Sequence, residues 1–262
     1  MLSAELNGRL GNQLFELAHT IGLSKRTGLP FILPEWEHRN SFKRFNNSGK
    51  VFSADRESPL LNTIPPFGRM SRRYEQTLGY HELPPPLLNG ITYYSGYFQS
   101  EKYLTPYETT IKEWFQPVDS IRTRLDSIFS ELSPDICSVN VRRGDYLNLP
   151  DYHPVLPLEY YQQGAMLVNT DQYLVFSDDI PWCKENLNLP GMIFEDQFNF
   201  DSVTAIFAIA RCKSHINANS SFSWWGSWLG NSGGKNIFPK TWFGPALPPV
   251  TPDRYPPGAI VI

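Results

Sequence analysis

The chain has 262 residues, enough for one large domain or two modest ones at roughly 150 residues per domain, which excludes a mini-protein. Hydrophobic residues make up 41% and aromatic residues 14% against 19% charged, too apolar for intrinsic disorder, while a mean hydropathy of -0.34 is too polar for a bundle of membrane spans. A net charge of -3 and a pI near 6.0 lack the electrostatic footprint of a dedicated nucleic-acid or acidic-membrane binder and favour small or neutral partners.

Leu2 to Leu6 reads as a short strand that breaks at Asn7-Gly8-Arg9-Leu10-Gly11-Asn12, after which Leu14, Leu17, Ala18 and Ile21 recur at helical spacing. Lys25 and Arg26 suit the last turn of that helix, Gly28 its C-cap and Pro30 the exit, with Phe31-Ile32-Leu33 as a second strand. The chain therefore opens as a βαβ unit. From Glu35 to Pro86 the periodicity dissolves into aromatic, basic and proline-rich sequence, including Ile64-Pro65-Pro66 and Pro84-Pro85-Pro86, and reads as irregular surface or a site wall. Ile91 to Tyr97 is strand-like, and Ile121, Leu125, Ile128, Phe129 and Leu132 mark an amphipathic helix stopped by Ser133-Pro134-Asp135.

A domain boundary is placed there, giving residues 1–133 and 134–262. The second half repeats the alternation: strand Cys137 to Val141, a helix with Leu158, Tyr161, Ala165 and Val168 on one face, and strand Gln172 to Phe176. Asp201 can cap a helix faced by Val203, Ile206, Phe207 and Ala210, followed by strand His215 to Ala218, a Ser-rich turn, a Trp-rich helix and strand Asn236 to Phe238. This rhythm predicts an α/β fold of two doubly wound Rossmann-like lobes with parallel sheets. Thr251 to Ile262 is assigned no role.

Cys137, Cys183 and Cys212 are far apart, odd in number and free of C-x-x-C spacing, so they are expected to be reduced, mostly buried thiols, which favours the cytoplasm. No basic region followed by an apolar stretch opens the chain, and no window approaches the roughly 18 apolar residues of a span, so neither an export signal nor a transmembrane segment is expected. The triplets Asn46-Asn47-Ser48 and Asn219-Ser220-Ser221 match the N-glycosylation pattern but are expected to be silent in that compartment.

Ligands of open α/β sheets bind beyond the carboxyl ends of strands, which singles out four places. Gly8-Arg9-Leu10-Gly11-Asn12-Gln13 lets backbone approach a ligand in front of a helix N-terminus, although its glycines at i and i+3 do not form a dinucleotide fingerprint; a plain tight turn is the alternative. Val141-Arg142-Arg143-Gly144-Asp145-Tyr146 ends a strand in two guanidinium forks suited to phosphate oxygens, or in an ion pair capping the sheet. Arg143-Gly144-Asp145 also spells an adhesive tripeptide, a role the preceding strand and the missing export signal disfavour. Phe176-Ser177-Asp178-Asp179 puts paired carboxylates after a strand, for hydrogen bonding to a sugar or base, for a metal, or simply as a helix N-cap. Asn217-Ala218-Asn219-Ser220-Ser221-Phe222-Ser223 offers hydroxyls and amides at a helix start as a second phosphate cradle, with Trp224, Trp225 and Trp228 packed inside the lobe. His19, His38, His81, His153 and His215 are scattered without metal-pair spacing and default to structural roles.

Taken together, Gly8-Arg9-Leu10-Gly11-Asn12-Gln13-Leu14-Phe15, Gly96-Tyr97-Phe98-Gln99-Ser100-Glu101-Lys102-Tyr103, Val141-Arg142-Arg143-Gly144-Asp145-Tyr146, Phe176-Ser177-Asp178-Asp179 and Ala218-Asn219-Ser220-Ser221-Phe222-Ser223-Trp224-Trp225-Gly226 resemble the bacterial-type α-1,2-fucosyltransferases of glycosyltransferase family 11. The resemblance implies a GT-B fold of two facing lobes, with GDP-fucose held by the C-terminal lobe and a galactose-terminated glycan approached from the N-terminal one. It implies inverting transfer of fucose to the 2-hydroxyl of galactose, with no nucleic-acid partner. Arg142 would stabilise the charge growing on GDP, so no metal or other cofactor is expected. Arg143, Tyr146, Asp178, Asp179, Asn219, Ser220, Ser221 and Phe222 would complete the donor site, and Gly8, Gly11, Asn12 and Gln13 would shape the acceptor side. Asp145 is the first candidate for general base, against which the neighbouring cations would depress its pKa; orienting Arg142 or the sugar is its alternative role.

Two positions depart from the family pattern. Asn140 stands where relatives carry His, and Ala205 stands where related enzymes place a guanine-reading Asp; Asp201, one helical turn earlier and expected to face a similar direction, is the candidate substitute, a relaxed guanine preference the alternative. The same fold using another nucleotide sugar or acceptor hydroxyl, and a nucleotide-sugar or glycan-binding module without turnover, are the competing readings. The expected location is the cytoplasm, with peripheral association at the inner membrane surface through a partner or a lipid-linked acceptor as the variant.

Overall fold

The computed structural model of the chain describes residues 1–47, 70–75, 79–230 and 233–262. They form two compact units, Met1–Val118 and Asp119–Ile262.

The first unit is built on the predicted βαβ start. Strand β1 (Leu2–Ala4) leads through the Gly8 loop into helix α1 (Leu10–Thr27), which buries Leu14, Leu17, Ala18 and Ile21 and stops at Gly28 in the left-handed region, φ 71°. Strand β2 (Phe31–Ile32), helix α2 (Lys43–Asn47), strands β3 (Met70–Glu75) and β4 (Gly90–Ser95) and helix α3 (Glu108–Trp114) follow. The sheet is parallel, in the order β2-β1-β4-β3.

The reading of residues 35 to 86 as irregular surface is corrected here in part. Trp36, Phe42 and Phe45 are core residues that pack with Trp114 and Phe115 in a network of ring contacts, for example Trp36–Phe42 at 5.1 Å and Phe45–Trp114 at 5.2 Å. Their spacing of six and three fits neither helix nor strand period, so the pattern is silent in sequence although the burial is real. Ile64-Pro65-Pro66 and Ser48 of the first glycosylation triplet lie outside the described residues.

The second unit begins earlier than the predicted boundary at residue 134. Helix α4 (Asp119–Phe129) belongs to it, packing against helix α7 (Ser202–Arg211) with Leu125 buried. The Ser133-Pro134-Asp135 stop ends a helix, but it does not end a domain. Strand β5 (Cys137–Val141), helix α5 (Leu158–Val168), strand β6 (Tyr173–Ser177), helix α6 (Ile180–Asn186) and strand β7 (Met192–Phe194) precede α7. Strand β8 (Ser214–Ile216), helix α8 (Ser221–Leu229), strand β9 (Asn236–Phe238) and strand β10 (Ile260–Val261) follow it.

All pairs are parallel, in the order β10-β9-β8-β5-β6-β7. Counted from β5, this is the doubly wound order 3-2-1-4-5-6, whose reversal falls between β5 and β8. The fold class is thus the expected α/β arrangement of the GT-B type, with parallel sheets in two lobes. Strands β5 and β6 are buried on both faces, as helix-covered parallel strands are. The C-terminal segment left without a role supplies β10 and a buried Arg254 whose guanidinium lies 5.1 Å from the Trp242 ring. Trp224, Trp225 and Trp228 are buried in α8, and the three cysteines are buried and unpaired. No helix among the described residues is long and apolar enough to cross a membrane.

Candidate active site

The switch point of the second unit collects three of the four predicted places. Strand β5 delivers Arg142 and Arg143 into a short 3-10 turn (Gly144–Asn148), its neighbour β6 delivers Asp178 and Asp179, and β8 delivers Asn217 to Ser221 at the start of α8. Tyr146 bridges the crevice, its hydroxyl donating to the Asn219 carbonyl at 3.1 Å.

Both arginines are gripped by carboxylates. Arg142 donates through Nη1 to Asp178 and through Nη2 to Asp145, and its guanidinium lies 5.0 Å from the Tyr146 ring. Arg143 donates through Nε to Asp179 at 3.1 Å and stacks 3.9 Å from the Trp182 ring. Asp178 also accepts from the Arg143 backbone amide at 2.9 Å, which fixes it in the turn. Gly144 makes this grip possible, because a Cβ there would overlap the Asp178 carboxylate. Two cations and three carboxylates leave a formal charge of -1, so an incoming anion must displace a carboxylate. Asp145 is the displaceable one: its side chain is 45% exposed against 25% for Asp178.

Asp179 serves both the site and its helix, capping α6 by accepting from the Trp182 amide at 3.2 Å. The turn that carries it is held from behind by Glu195, which sequence reasoning did not single out. Its Oε1 accepts from the Ser177 amide at 2.7 Å, and Ser177 Oγ in turn accepts from the Asp179 amide at 2.9 Å. Burial, with Asp196 and Asp178 nearby, pushes the Glu195 carboxyl up to about 7 against the Ser177 hydrogen bond. No spacing rule could have found it, since its partner lies 18 residues away across a strand pair.

At the start of α8, Ser220 Oγ caps the helix by accepting from the Phe222 amide at 3.2 Å; Ser221 and Phe222 are half-buried beside it. Asn219 is buried, donating to the carbonyls of Pro154 at 2.9 Å and Trp242 at 3.1 Å, which places the asparagine of the second glycosylation triplet in the interior. Asn140 is also buried on β5.

Asp201 does not share the surroundings of position 205. Residues four apart within a helix face alike, but Asp201 precedes α7 in extended backbone, φ -75° and ψ 169°, exposed and accepting from the Thr204 amide at 2.7 Å. Ala205 is inside, 4% exposed. The expected common direction is therefore corrected.

The fourth place lies in the first unit, at the corresponding point of its own sheet. Gly8 has φ 72°, and a side chain there would press on Asn12. Asn12 accepts from Gln99 Nε2 at 2.7 Å, linking the loop after β1 to the segment after β4. Gln13 donates to the Gly8 carbonyl at 3.1 Å and accepts from Trp36 Nε1 at 2.9 Å, while Gly11 is buried within α1. Behind the loop, fully buried Glu16 accepts from the Asn7 amide at 2.8 Å; burial pushes its carboxyl up to about 9, so it is a neutral acid at pH 7. Neighbouring His19, stacked 3.9 Å from Phe98, is pushed down to about 3 by the same cause and is neutral too.

Among the described residues no three of His, Cys, Asp and Glu gather as a metal group. The model of Glycosyl transferase family 11 matches residues 1–247. An alpha-1,2-colitosyltransferase of Escherichia coli is 28% identical, over 92% of this chain and 91% of its own length. Galactoside alpha-(1,2)-fucosyltransferase 2 of Mus musculus is 25% identical, over 88% of this chain and 68% of its own. In fold, the crystal structure of POFUT1 in complex with GDP-fucose superposes with a TM-score of 0.56 at 11% identity, over 90% of this chain and 97% of that one.

Proposed function

We propose, from the premise that this chain belongs to glycosyl transferase family 11, that it moves L-fucose from GDP-fucose to the 2-hydroxyl of a terminal galactose, inverting the anomeric carbon without a metal. The observation that carries the reading is Arg142, fixed at the end of β5 opposite the start of α8. A diphosphate seated there takes the place of Asp145 on Arg142 and meets the N-terminal end of the α8 dipole. As the bond from C1 to the phosphate oxygen breaks, the electron pair leaves with GDP, and the guanidinium stabilises the developing charge. Arg143, Tyr146, Asp178, Asp179 and Ser220 to Phe222 hold the donor, and Asp201, exposed at the mouth of α7, is available to the base. The amide-lined loop of Gly8, Gly11, Asn12 and Gln13 serves the neutral acceptor. The mouse relative's name and the GDP-fucose of the POFUT1 complex support this donor and linkage. We assign the work to the cytoplasm, where three buried thiols stay reduced.

The Escherichia coli relative favours a second reading, in which the sugar is colitose and the linkage is kept. The deciding experiment measures acceptor-dependent GDP release from GDP-fucose with lactose in EDTA, the linkage read by NMR, beside nucleotide-activated colitose. Arg142→Ala is expected to lower kcat by about 10²–10³. GDP-fucose that binds without transfer to any galactoside would instead mark a binding module, and loss of turnover in EDTA would reject the metal-free route.

A further inference from the structure

Five histidines default to structural roles by spacing, and one of them stands beside the ionic turn, stacked on Tyr146. His19 is sealed inside α1 and His215 pairs through Nδ1 with Ser138 Oγ at 2.9 Å. His153 is half-buried, and among the described residues neither of its ring nitrogens is taken by a hydrogen bond. Its ring is nevertheless fixed. It stacks on Tyr146 at 4.8 Å and 19° between planes, meets Phe243 at 6.1 Å, and is tied through its backbone amide to the Leu149 carbonyl at 2.8 Å. An imidazole stacked on one face, with its nitrogens unspent, is arranged to exchange a proton with something that is not protein.

We propose that His153 is the general base of the transfer reaction, taking the proton of the acceptor hydroxyl. The inference rests on the transferase reading above and assigns a role that reading leaves open. Asp145, the first candidate, has its carboxylate on Arg142, whereas both ring nitrogens of His153 stand without a hydrogen bond among the described residues. In the step, the acceptor oxygen forms its bond to the sugar C1 and its proton passes to a ring nitrogen of His153. The bond from C1 to the phosphate oxygen breaks, and its electron pair leaves on GDP beside Arg142.

The groups acting on the imidazole are Arg142, Asp145 and Tyr146 from the turn after β5; across the stack, Arg254 lies 4.9 Å from the Phe243 ring. Burial and Arg142 pull its pKa down while Asp145 pulls it up, the net direction being down, so the ring is neutral at pH 7 and protonated only on the acid side.

The test uses His153→Phe, which keeps the stack and removes the nitrogens, and His153→Gln, in case the phenylalanine disturbs folding. Both are read by kcat for transfer, by GDP affinity and by the pH profile, with Asp145→Asn alongside. The expected result is a kcat loss of about 10²-fold or more with GDP affinity intact, and disappearance of the acid limb that the parent shows. A His153→Phe enzyme with parental kcat overturns the inference, as does a parent without an acid limb, or a loss of GDP affinity that accounts for the loss of rate. A kcat collapse confined to Asp145→Asn transfers the role to Asp145. A parent that transfers nothing from GDP-fucose overturns the fucosyltransferase reading and this inference together, whereas an active parent beside an unimpaired His153→Phe overturns this inference alone.

Discussion

The loop after β1 and the loop after β5 occupy equivalent places, each at the carboxyl end of the strand where its parallel sheet reverses order, and they are built from opposite chemistry. Arg9 apart, the Gly8 loop is held together by neutral groups. Asn12, Gln13, Gln99 and Trp36 exchange amide and indole hydrogen bonds, and the carboxyl behind them is held as an acid by burial. The Arg142 turn is ionic, with two guanidinium groups on three carboxylates and a fourth, Glu195, bracing the strand end. One fold position therefore carries two recognition modes. Charge placed in a partly dry crevice suits a diphosphate, and fixed neutral donors and acceptors suit a glycan hydroxyl without the desolvation cost of burying ions.

The ionic side is the easier to break. Gly144→Ala forces the Asp178 carboxylate away from Arg142, and overpacking of this kind costs about 1–3 kcal/mol, so GDP affinity should fall steeply while the fold survives; calorimetric titration with GDP checks it. Parental affinity in Gly144→Ala would mean the Asp178 grip is unnecessary.

Glu195→Ala removes the acceptor for the Ser177 amide and should cost about 1–3 kcal/mol, with loss of exchange protection at Ser177 and Asp179, whereas Glu195→Gln keeps a carbonyl there and should retain it. Equal protection in both variants would remove Glu195 from the supporting structure.

The neutral side responds to pH through the carboxyl behind it. Glu16 keeps its proton to about 9 in the folded chain, while an ordinary glutamate loses it near 4.5, so across that window the folded state binds more protons and stability declines as pH rises. Glu16→Gln, which keeps the carbonyl for Asn7, should melt progressively higher than the parent as pH is raised from 5 to 9, a trend that thermal melts across pH would reveal or deny. His19 acts in the opposite sense on the acid side. Its folded pKa of about 3 lies below the ordinary 6.5, so its contribution is lost as pH falls from 6.5 towards 3.

The sequence by itself determined the βαβ rhythm, the parallel sheets, the caps at Gly28 and Asp201, and the strand ends where Arg142, Asp178 and Ser220 stand. These follow from local periodicity, from the turn and capping chemistry of single residues, and from the rule that puts ligands at strand ends. Tertiary structure alone decided what depends on partners distant in the chain. It moved α4 into the second unit, turned Trp36, Phe42 and Phe45 from surface to core, set Asp201 apart from Ala205, bound Asp145 to Arg142, and left His153 stacked on Tyr146 with free nitrogens. The physical reason is range. A backbone dihedral or a cap is settled within a few residues, but burial, the pKa of a carboxyl and the freedom of an imidazole are set by whichever segments the fold packs against them.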